Sequence, residues 1–349
     1  MNIVFFKQKF KSTILYKMLK FQSYKLDVFC EKHEPYNTYS KSDLRCLKRK
    51  MKYAKVMLEM SYKDFWQCRC EQLSYTELCQ IVPYIQQKTL WQTINSAASH
   101  ELLCDKWKTF LHFREYYKRD IILVKDIAHD ITVLNSFIKS HPQFIVKPQG
   151  MNCGKGIQIM NASVQKNIID YLSQTYPDGF VAEELIMQDE EFSQFHKQSV
   201  NTLRINTINY GSHVEVMWPC LRIGRSNNIV DNAGAGGIFG GIDVSTGKVI
   251  AASDEFHHTF EKHPDSGKQI VGFKIPKFEE ACEMVKHLAT LIPDCHFVGW
   301  DLALTNNGWI MVEANYGPLL IYQIAIGKGI KNEFNKMKND CKPFYNLRK

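Results

Sequence analysis

The chain has 349 residues, 45% of them hydrophobic, and its 44 Lys and Arg against 36 Asp and Glu give a formal charge of +8. This length is enough for two domains or one large α/β unit, and the composition excludes a disordered chain. Residues 1–70 hold sixteen Lys and Arg but only six acids, so the positive charge belongs to the N-terminal segment. Basic runs of this kind are more often solvated helix faces than binding surfaces, and we expect no nucleic-acid partner.

The eleven cysteines lack the paired spacing of a metal site and are typical of reduced thiols in a cytosolic protein. No apolar stretch approaches the roughly 18 residues that span a bilayer, so we expect a cytoplasmic location. The first 17 residues mix phenylalanines with lysines and could form a basic amphipathic helix that contacts the inner face of a membrane. A helix packed on the protein's own core explains the same pattern.

In chain order, residues from about 40 to 120 show helical periodicity with Pro83 as a break, and we predict an α-rich basic N-terminal region over 1–95. From about residue 142 the chain changes to β-rich runs separated by glycines, with two helices over 162–174 and 277–292. Tight turns between consecutive strands require antiparallel pairing. The sequence therefore predicts an α+β domain and not a doubly wound parallel sheet.

The first motif that could bind a ligand is "FIVKPQGMNCGKGIQIM", residues 144–160. Lys147 ends a strand, and the following loop contains Gly150, Gly154, Lys155 and Gly156. Glycine backbone allows N–H groups to approach phosphate oxygens closely, and the lysines add positive charge there. The motif is not a Walker A loop, because a strand follows it. A solvated turn with lysines at its tip is the alternative.

Two further motifs lie on predicted strands. The stretch "FVAEELI" ends in Glu183 and Glu184, where backbone groups could meet an adenine edge, although an edge strand with solvated glutamates is equally consistent. "SVNTLRINTI" places Arg204 on a central strand, where a buried guanidinium needs either a ligand anion or a structural carboxylate. Arg222 and the glycine-rich loop "VDNAGAGGIFGG" follow. Such a loop indicates backbone that curves around a group that the sequence does not identify.

The stretch "VGWDLALTNNGWIMVEANYGP", residues 298–318, reads as a hairpin. A three-residue loop over 306–308 would place Asp301 opposite Glu313, with Asn315 on the same face. Two carboxylates so placed have Cβ atoms about 5 Å apart and repel by roughly 3 kcal/mol. A divalent cation such as Mg²⁺ or Mn²⁺ would remove this repulsion. The alternative is that Asp301 caps a backbone group or pairs with an arginine while Glu313 points to water.

In this order, the motifs resemble the ATP-grasp superfamily of ATP-dependent carboxylate ligases. "SVNTLRINTI", "LRIG", "VDNAGAGG", "KHPDSG" and the hairpin look like its sugar-transfer associated branch, found among polysaccharide biosynthesis proteins. The resemblance covers roughly residues 100–325. It implies an ATP-grasp domain over 96–330, in which two α+β subdomains with largely antiparallel sheets sandwich ATP. The flap subdomain would span about 140–190, the catalytic subdomain about 198–325, and a tail would follow over 331–349.

The resemblance also implies a set of site residues. ATP would be a cofactor together with Mg²⁺ or Mn²⁺, and the metal would be held by Asp301, Glu313 and Asn315. Catalytic roles would fall to Lys147, Arg204 and Arg222. The nucleotide would be bound by Lys106, Lys147, Gly154, Lys155, Gly156, Glu183, Glu184 and Leu185, with Gln188 or Glu190 at the ribose. Substrate contacts would come from Asn232, Gly236, Gly237 and His263, although a histidine in this loop more often fixes the loop by hydrogen bonds.

The activity that the resemblance implies begins when a substrate carboxylate attacks the γ-phosphate of ATP. An amine or a related nucleophile then displaces phosphate from the acyl phosphate. We therefore expect an ADP-forming ligase that acts on a small-molecule, sugar, glycan or peptidyl precursor in polysaccharide biosynthesis. A small-molecule or sugar kinase on the same scaffold, and a nucleotide-binding scaffold without catalysis, are the alternatives.

Overall fold

The computed structural model describes residues 25–149, 156–165 and 167–345. The amphipathic helix predicted for the first 17 residues therefore lies outside the described residues. So do Gly150, Gly154 and Lys155 of the predicted phosphate loop. Within the described ranges, no helix combines the length and the apolar character that crossing a bilayer requires.

The described part of the N-terminal region, from residue 25 onward, is helical, as the periodicity predicts. Residues 25–32 are helical, and further helices follow at Lys41–Met57, Tyr62–Gln67, Tyr75–Leu78, Tyr84–Ile94, Ala97–Cys104, Lys106–His112 and Arg114–Tyr117. Polar caps explain several of their starts, because Ser40, Ser61, Ser74 and Ser96 each accept a hydrogen bond from the backbone N–H three residues later. Asp105 caps the helix that begins at Lys106. Local sequence thus sets these boundaries.

A small sheet follows this region. Its strands are β1 (Ile121–Val124), β2 (Gln143–Pro148), β3 (Gln158–Asn161) and β4 (Phe180–Glu184), all antiparallel in the order β1-β4-β2-β3. Helices Ile127–Ser140 and Ile168–Thr175 contribute to its core, in which Leu134, Phe144 and Phe180 are buried. The sheet begins about twenty residues before the proposed start of the flap subdomain at 140.

A larger antiparallel sheet forms the second half of the chain. Its strands are β5 (Thr202–Asn209), β6 (Val214–Ile223), β7 (Ile238–Asp243), β8 (Lys248–Ser253), β9 (Phe297–Thr305) and β10 (Gly308–Asn315), in the order β10-β9-β5-β6-β7-β8. Helix Phe278–Thr290 packs against Leu203 and Ile205 of β5 in the main core. Because side chains alternate along a strand, Arg204 points to the other face.

The C-terminal segment is part of the packed structure and not a tail. Helices Ile321–Ile326 and Lys331–Asp340 follow β10. Phe334 and Met337 of the second helix, and Cys341 directly after it, are buried against Trp218 and Phe297. Their spacing of three to four residues is that of one helix face, which the analysis of the sequence overlooked. The predicted tail over 331–349 is therefore corrected to a packed segment through residue 345.

The structure confirms the α+β class and the two largely antiparallel sheets. The predicted helices over 162–174 and 277–292 are found at Ile168–Thr175 and Phe278–Thr290. Helix Ile127–Ser140 and the short helix Glu190–Ser193 were not predicted. The former lies between the two stretches, 40–120 and from 142 onward, to which the sequence pattern assigned structure.

Candidate active site

The hairpin of β9 and β10 does not have the predicted three-residue loop. Gly308 pairs with Thr305, so Asn306 and Asn307 alone form the turn, and the register from Gly308 to Met311 would place Asp301 opposite residue 312. A β-bulge between Met311 and Glu313 shifts the register by one residue. As a result Asp301 does pair with Glu313, but because of the bulge and not because of the loop length.

Asp301 is buried between two arginines on the neighbouring strands. Arg204 of β5 binds it with both ends of its guanidinium, Nε to Oδ1 at 2.5 Å and Nη2 to Oδ2 at 2.8 Å. Arg222 of β6 donates from Nη1 to Oδ2 at 2.9 Å. Burial alone would raise the pKa of Asp301, but the two positive charges outweigh it and lower the pKa to about 2. Pairing of Asp301 with an arginine is what the sequence analysis gave as the alternative to a metal site.

Arg222 extends this network to the glycine-rich loop. Its Nη2 donates to Oδ1 of Asp231 at 3.0 Å and also to Oδ1 of Asn232. Thr202 donates its hydroxyl to the same Asp231 carboxylate. Burial raises the pKa of Asp231 despite the positive charge of Arg222. The start of the predicted substrate loop is therefore fixed to the same arginine that binds Asp301.

Glu313 differs from Asp301 in its exposure, in its hydrogen bonds and in the direction of its pKa shift. Its side chain is exposed, and within the described part of the chain its carboxylate has no hydrogen bond or ion pair. Desolvation by surrounding protein atoms and the negative charge of Asp301 raise its pKa above that of an ordinary glutamate. Asn315 completes the group, with Nδ2 3.2 Å from Oδ2 of Asp301.

These three side chains fit a divalent cation. All three offer oxygen donors, which Mg²⁺ prefers. Oδ1 of Asp301 accepts only one hydrogen bond, so it keeps a lone pair, and Oδ1 of Asn315 accepts none among the described residues. Glu313 supplies an unpaired carboxylate beside them. The donor set therefore agrees with the predicted metal site.

The small sheet contributes a second charged group. Lys147 of β2 binds Oε1 of Glu183 on β4 at 2.7 Å, and Arg119 binds Oε2 at 2.7 Å. Burial alone would raise the pKa of Glu183, but the charges of Lys147 and Arg119 lower it to about 2. The carboxylate of Glu183 is therefore occupied, and only its backbone could take part in the predicted adenine hinge.

The two charged groups lie within electrostatic reach of each other. The positive charges of Lys147 and of Lys106, the first residue of its helix, lower the pKa of Glu313 and oppose the larger effects that raise it. Both predicted phosphate lysines are thus close enough to Glu313 to act on it electrostatically. Gly156 lies at the described edge of the predicted flap and has a φ of 71°, which a residue with a side chain rarely adopts.

The other predicted hinge residues have different surroundings. Glu184 accepts a hydrogen bond from the backbone N–H of Asp120 at 3.1 Å, and Leu185 lies half-buried just beyond the end of β4. Gln188 uses its whole side-chain amide inside the protein: Nε2 donates to the carbonyls of His196 and Ser199, and Oε1 accepts two bonds from Asn201. It has no remaining group for a ribose.

Glu190 is the other predicted ribose contact. Its side chain is exposed at the first residue of helix Glu190–Ser193. Of the two ribose candidates, it is therefore the one that the geometry leaves available.

The predicted substrate residues also separate into two groups. Asn232 and Gly237 lie in the loop that Arg222 holds, and a Cβ on Gly237 would be 2.2 Å from the carbonyl oxygen of Asp231, so no side chain fits there. Gly236, with a φ of 90°, lies beside the Arg225 guanidinium.

His263 does not line this region. It is 1% exposed, its Nε2 is 2.8 Å from the carbonyl of Gly224, and its Nδ1 is 3.2 Å from the Ser266 hydroxyl. Burial lowers its pKa. Its predicted substrate contact is therefore corrected to a role in fixing the loop after β6.

Two site residues escaped the analysis of the sequence. Asp231 stands immediately before the glycine-rich loop, and this position could have suggested a loop anchor. Arg119 lies in "YYKRD", where no local pattern distinguishes it from the neighbouring basic residues.

Two antiparallel sheets, one carrying Lys147 and the other carrying the arginine cluster around Asp301, agree with the two sheets that the motifs implied for an ATP-grasp domain. A comparison with protein families supports this, because the sugar-transfer associated ATP-grasp family matches residues 85–339. The match covers well over half of the chain. The chain therefore belongs to the sugar-transfer associated ATP-grasp family.

Several solved structures are similar to this chain at low sequence identity. The ATP-grasp ligase PsnB complexed with minimal precursor, Mg and ADP is 11% identical over 71% of this chain and 62% of that chain, with a TM-score of 0.44. The D-alanine-D-alanine ligase from Coxiella burnetii is 9% identical over 72% and 61%, with a TM-score of 0.46. N5-carboxyaminoimidazole synthetase from Staphylococcus aureus complexed with ADP is 16% identical over 68% and 52%, with a TM-score of 0.42.

This chain thus spans 52% to 62% of the length of those three structures. No curated protein matches it.

Proposed function

We propose that this protein is an ATP-dependent, ADP-forming ligase that joins a carboxylate to an amine or a related nucleophile through an acyl phosphate. The observation that carries the proposal is the position of the unpaired Glu313 carboxylate. It lies beside Asp301 and Asn315 on one sheet and within electrostatic reach of Lys106 and Lys147. A site with cations on both sides and one free carboxylate suits a metal-bound polyphosphate.

Each residue has a role that its surroundings support. Lys106 and Lys147 would bind phosphate oxygens, and the backbone after Glu183 would meet the adenine. Arg204 and Arg222 would neutralise charge on the transferring phosphoryl group. Asp301, Glu313 and Asn315 would hold Mg²⁺, with Mn²⁺ as an alternative ion. When bound, the metal supplies Lewis-acid polarisation and neutralises phosphate charge.

The state of the candidate bases favours ligation over phosphorylation of a hydroxyl group. A carboxylate nucleophile is already deprotonated near neutral pH, whereas a sugar hydroxyl must lose a proton to a base during attack. Asp231 and Asp301 are held in ion pairs with arginines, and His263 is buried in hydrogen bonds. Glu313 is the carboxylate that the metal requires. A carboxylate substrate needs none of these groups as a base.

The substrate is proposed from the family alone. Membership of a sugar-transfer associated family supports a sugar, glycan or peptidyl precursor of polysaccharide biosynthesis as one reactant. The loop that begins at Asn232 and contains Gly236 and Gly237 would border this substrate, because it is fixed to Arg222 at the same site. Contact of the basic N-terminal segment with a membrane surface remains part of the proposal and concerns residues outside the described ranges.

Hydroxylamine trapping tests the proposal directly. The purified protein is incubated with ATP, Mg²⁺, hydroxylamine and a panel of amino, uronic and peptidyl carboxylates. ADP and hydroxamate are then measured together. We expect a hydroxamate with at least one carboxylate, formed in step with ADP, because hydroxylamine intercepts an acyl phosphate. ATP turnover with no hydroxamate would contradict a ligase, and a phosphorylated acceptor would favour the kinase.

A pair of matched variants shows whether the activity belongs to this site. Glu313→Gln removes the unpaired carboxylate, whereas Glu283→Gln makes the same change on the exposed face of helix Phe278–Thr290. We expect ADP formation to be lost in the first variant and retained in the second. Nucleotide binding with no turnover under any condition would favour the non-catalytic scaffold.

A further inference from the structure

Arg119 connects the two charged groups of the site. It lies between helix Arg114–Tyr117 and β1, and its side chain is only 3% exposed. Two of its nitrogens, Nη2 and Nε, donate to Oε2 of Glu183 at 2.7 and 3.2 Å. Its Nη1 donates to the carbonyl of Met311 at 2.7 Å. One guanidinium thus contacts the small sheet and the hairpin of the large sheet.

Arg119 contacts Met311 directly beside the β-bulge of the hairpin. Met311 is the last residue before the β-bulge that brings Glu313 opposite Asp301. A bulge leaves a ladder position unpaired, so its backbone groups need other partners. Arg119 supplies a donor there. Tyr117 supports the same guanidinium, with its ring centre 4.8 Å away.

The contact with Glu183 determines how much positive charge Lys147 can offer. Glu183 is a single carboxylate between two cations, with Oε1 2.7 Å from Lys147 and Oε2 2.7 Å from Arg119. The three side chains together carry one net positive charge. Without Arg119, the buried Lys147–Glu183 pair would be neutral, and a phosphate would have to compete with Glu183 for the ammonium group of Lys147.

We propose that Arg119 is a positioning residue of the nucleotide site, which binds Glu183 and so keeps Lys147 available for a nucleotide phosphate. Because it also binds the Met311 carbonyl, it holds Lys147 at a fixed position relative to the metal-binding hairpin. This inference rests on the proposed nucleotide function. Arg119 itself does not need to touch the nucleotide.

The test measures the dissociation constant of ADP with Mg²⁺ by isothermal titration calorimetry. Arg119→Met keeps the length of the side chain and removes its charge, and we expect it to weaken ADP binding by about tenfold to a hundredfold. Lys118→Met is the matched control. Lys118 is the adjacent cation, and it donates to the carbonyl of Trp309 on β10, the strand that also contains Met311. It does not contact Glu183. We expect wild-type affinity for this control.

A double variant separates positioning from a merely structural role. In Arg119→Met combined with Glu183→Gln, the carboxylate that would occupy Lys147 is absent, so ADP affinity should recover toward that of the wild type. A role in packing alone predicts that the double variant binds ADP no better than Arg119→Met. That outcome would overturn the inference, and so would wild-type affinity in Arg119→Met itself.

A conservative variant keeps the test valid if Arg119→Met folds poorly. Arg119→Lys retains a cation beside Glu183, so its ADP affinity should lie close to that of the wild type, and a loss as large as that of Arg119→Met would overturn the inference. If the wild-type protein binds no ADP with Mg²⁺, the proposed function itself fails. That result is distinguishable from one in which only the Arg119 variants behave unexpectedly.

Discussion

Loss of charge at the two opposed carboxylates of the hairpin should affect the free energy of unfolding differently. Asp301→Asn removes the anion from between Arg204 and Arg222, whereas Glu313→Gln changes a side chain that has no ion pair among the described residues. Both substitutions keep the shape of the side chain and remove one negative charge. They are therefore matched charge-removing substitutions in different surroundings.

The magnitude for Asp301 follows from its contacts. It accepts three hydrogen bonds from arginine side chains, at 2.5, 2.8 and 2.9 Å. Arg222 would keep its ion pair with Asp231, but Arg204 has no second carboxylate among the described ion pairs. Removing one partner of a buried pair costs about 3–5 kcal/mol. The shift of the Asp301 pKa from its ordinary 3.8 to about 2 independently corresponds to roughly 2 kcal/mol.

We therefore expect Asp301→Asn to lower the free energy of unfolding at pH 7 by about 2–5 kcal/mol. Glu313→Gln should leave it unchanged or slightly raised, because repulsion from Asp301 is removed. Urea unfolding followed by tryptophan fluorescence measures both values, and ADP release in excess Mg²⁺ measures turnover. Turnover should be lost in both variants. Full stability of Asp301→Asn, or Mg²⁺-dependent turnover by Glu313→Gln, would refute this account of the hairpin.

Three further predictions concern pH, the ribose contact and the glycine-rich loop. The pKa of Glu313 is raised, so Glu313 should bind a proton at a higher pH than an ordinary glutamate does. The affinity for Mg²⁺ should therefore begin to fall at that higher pH. An affinity for Mg²⁺ that stays constant down to pH 4 would contradict this. Gln188→Ala should lower stability without changing the KM for ATP, whereas Glu190→Ala should raise that KM; equal KM values would exclude Glu190 from the ribose. Gly237→Ala should cost about 1–3 kcal/mol of stability through its clash with the loop backbone. Gly234→Ala, where a Cβ meets nothing within 4 Å, should cost far less in the same urea titration.

The stability that Asp301 contributes also has a defined pH range. Because its folded pKa is lowered, the contribution is fully present above its ordinary pKa and is lost as pH falls through about 2. The difference in unfolding free energy between wild type and Asp301→Asn should therefore shrink below pH 4. A difference that stays constant down to pH 2 would show that the arginines do not act through the Asp301 charge.

Local sequence determined the features that depend on near neighbours. Alternating apolar residues and glycine turns predicted antiparallel sheets, and serine caps lie where the N-terminal helices begin. The order of the motifs predicted the family that the comparison confirms. These features follow from side-chain periodicity and backbone propensity within a few residues.

Tertiary structure decided which polar groups are occupied. The bulge after Met311, and not the turn, brings Asp301 opposite Glu313, and Arg204 reaches Asp301 across 97 residues of chain. The amide of Gln188 and the ring of His263 form hydrogen bonds inside the packed protein, although both residues lie in motifs that suggested ligand contacts. Whether a polar side chain is available to a ligand depends on partners that are distant in sequence. A local pattern contains no information about those partners, and for this reason the sequence proposed the site residues but could not say which of them are free to act.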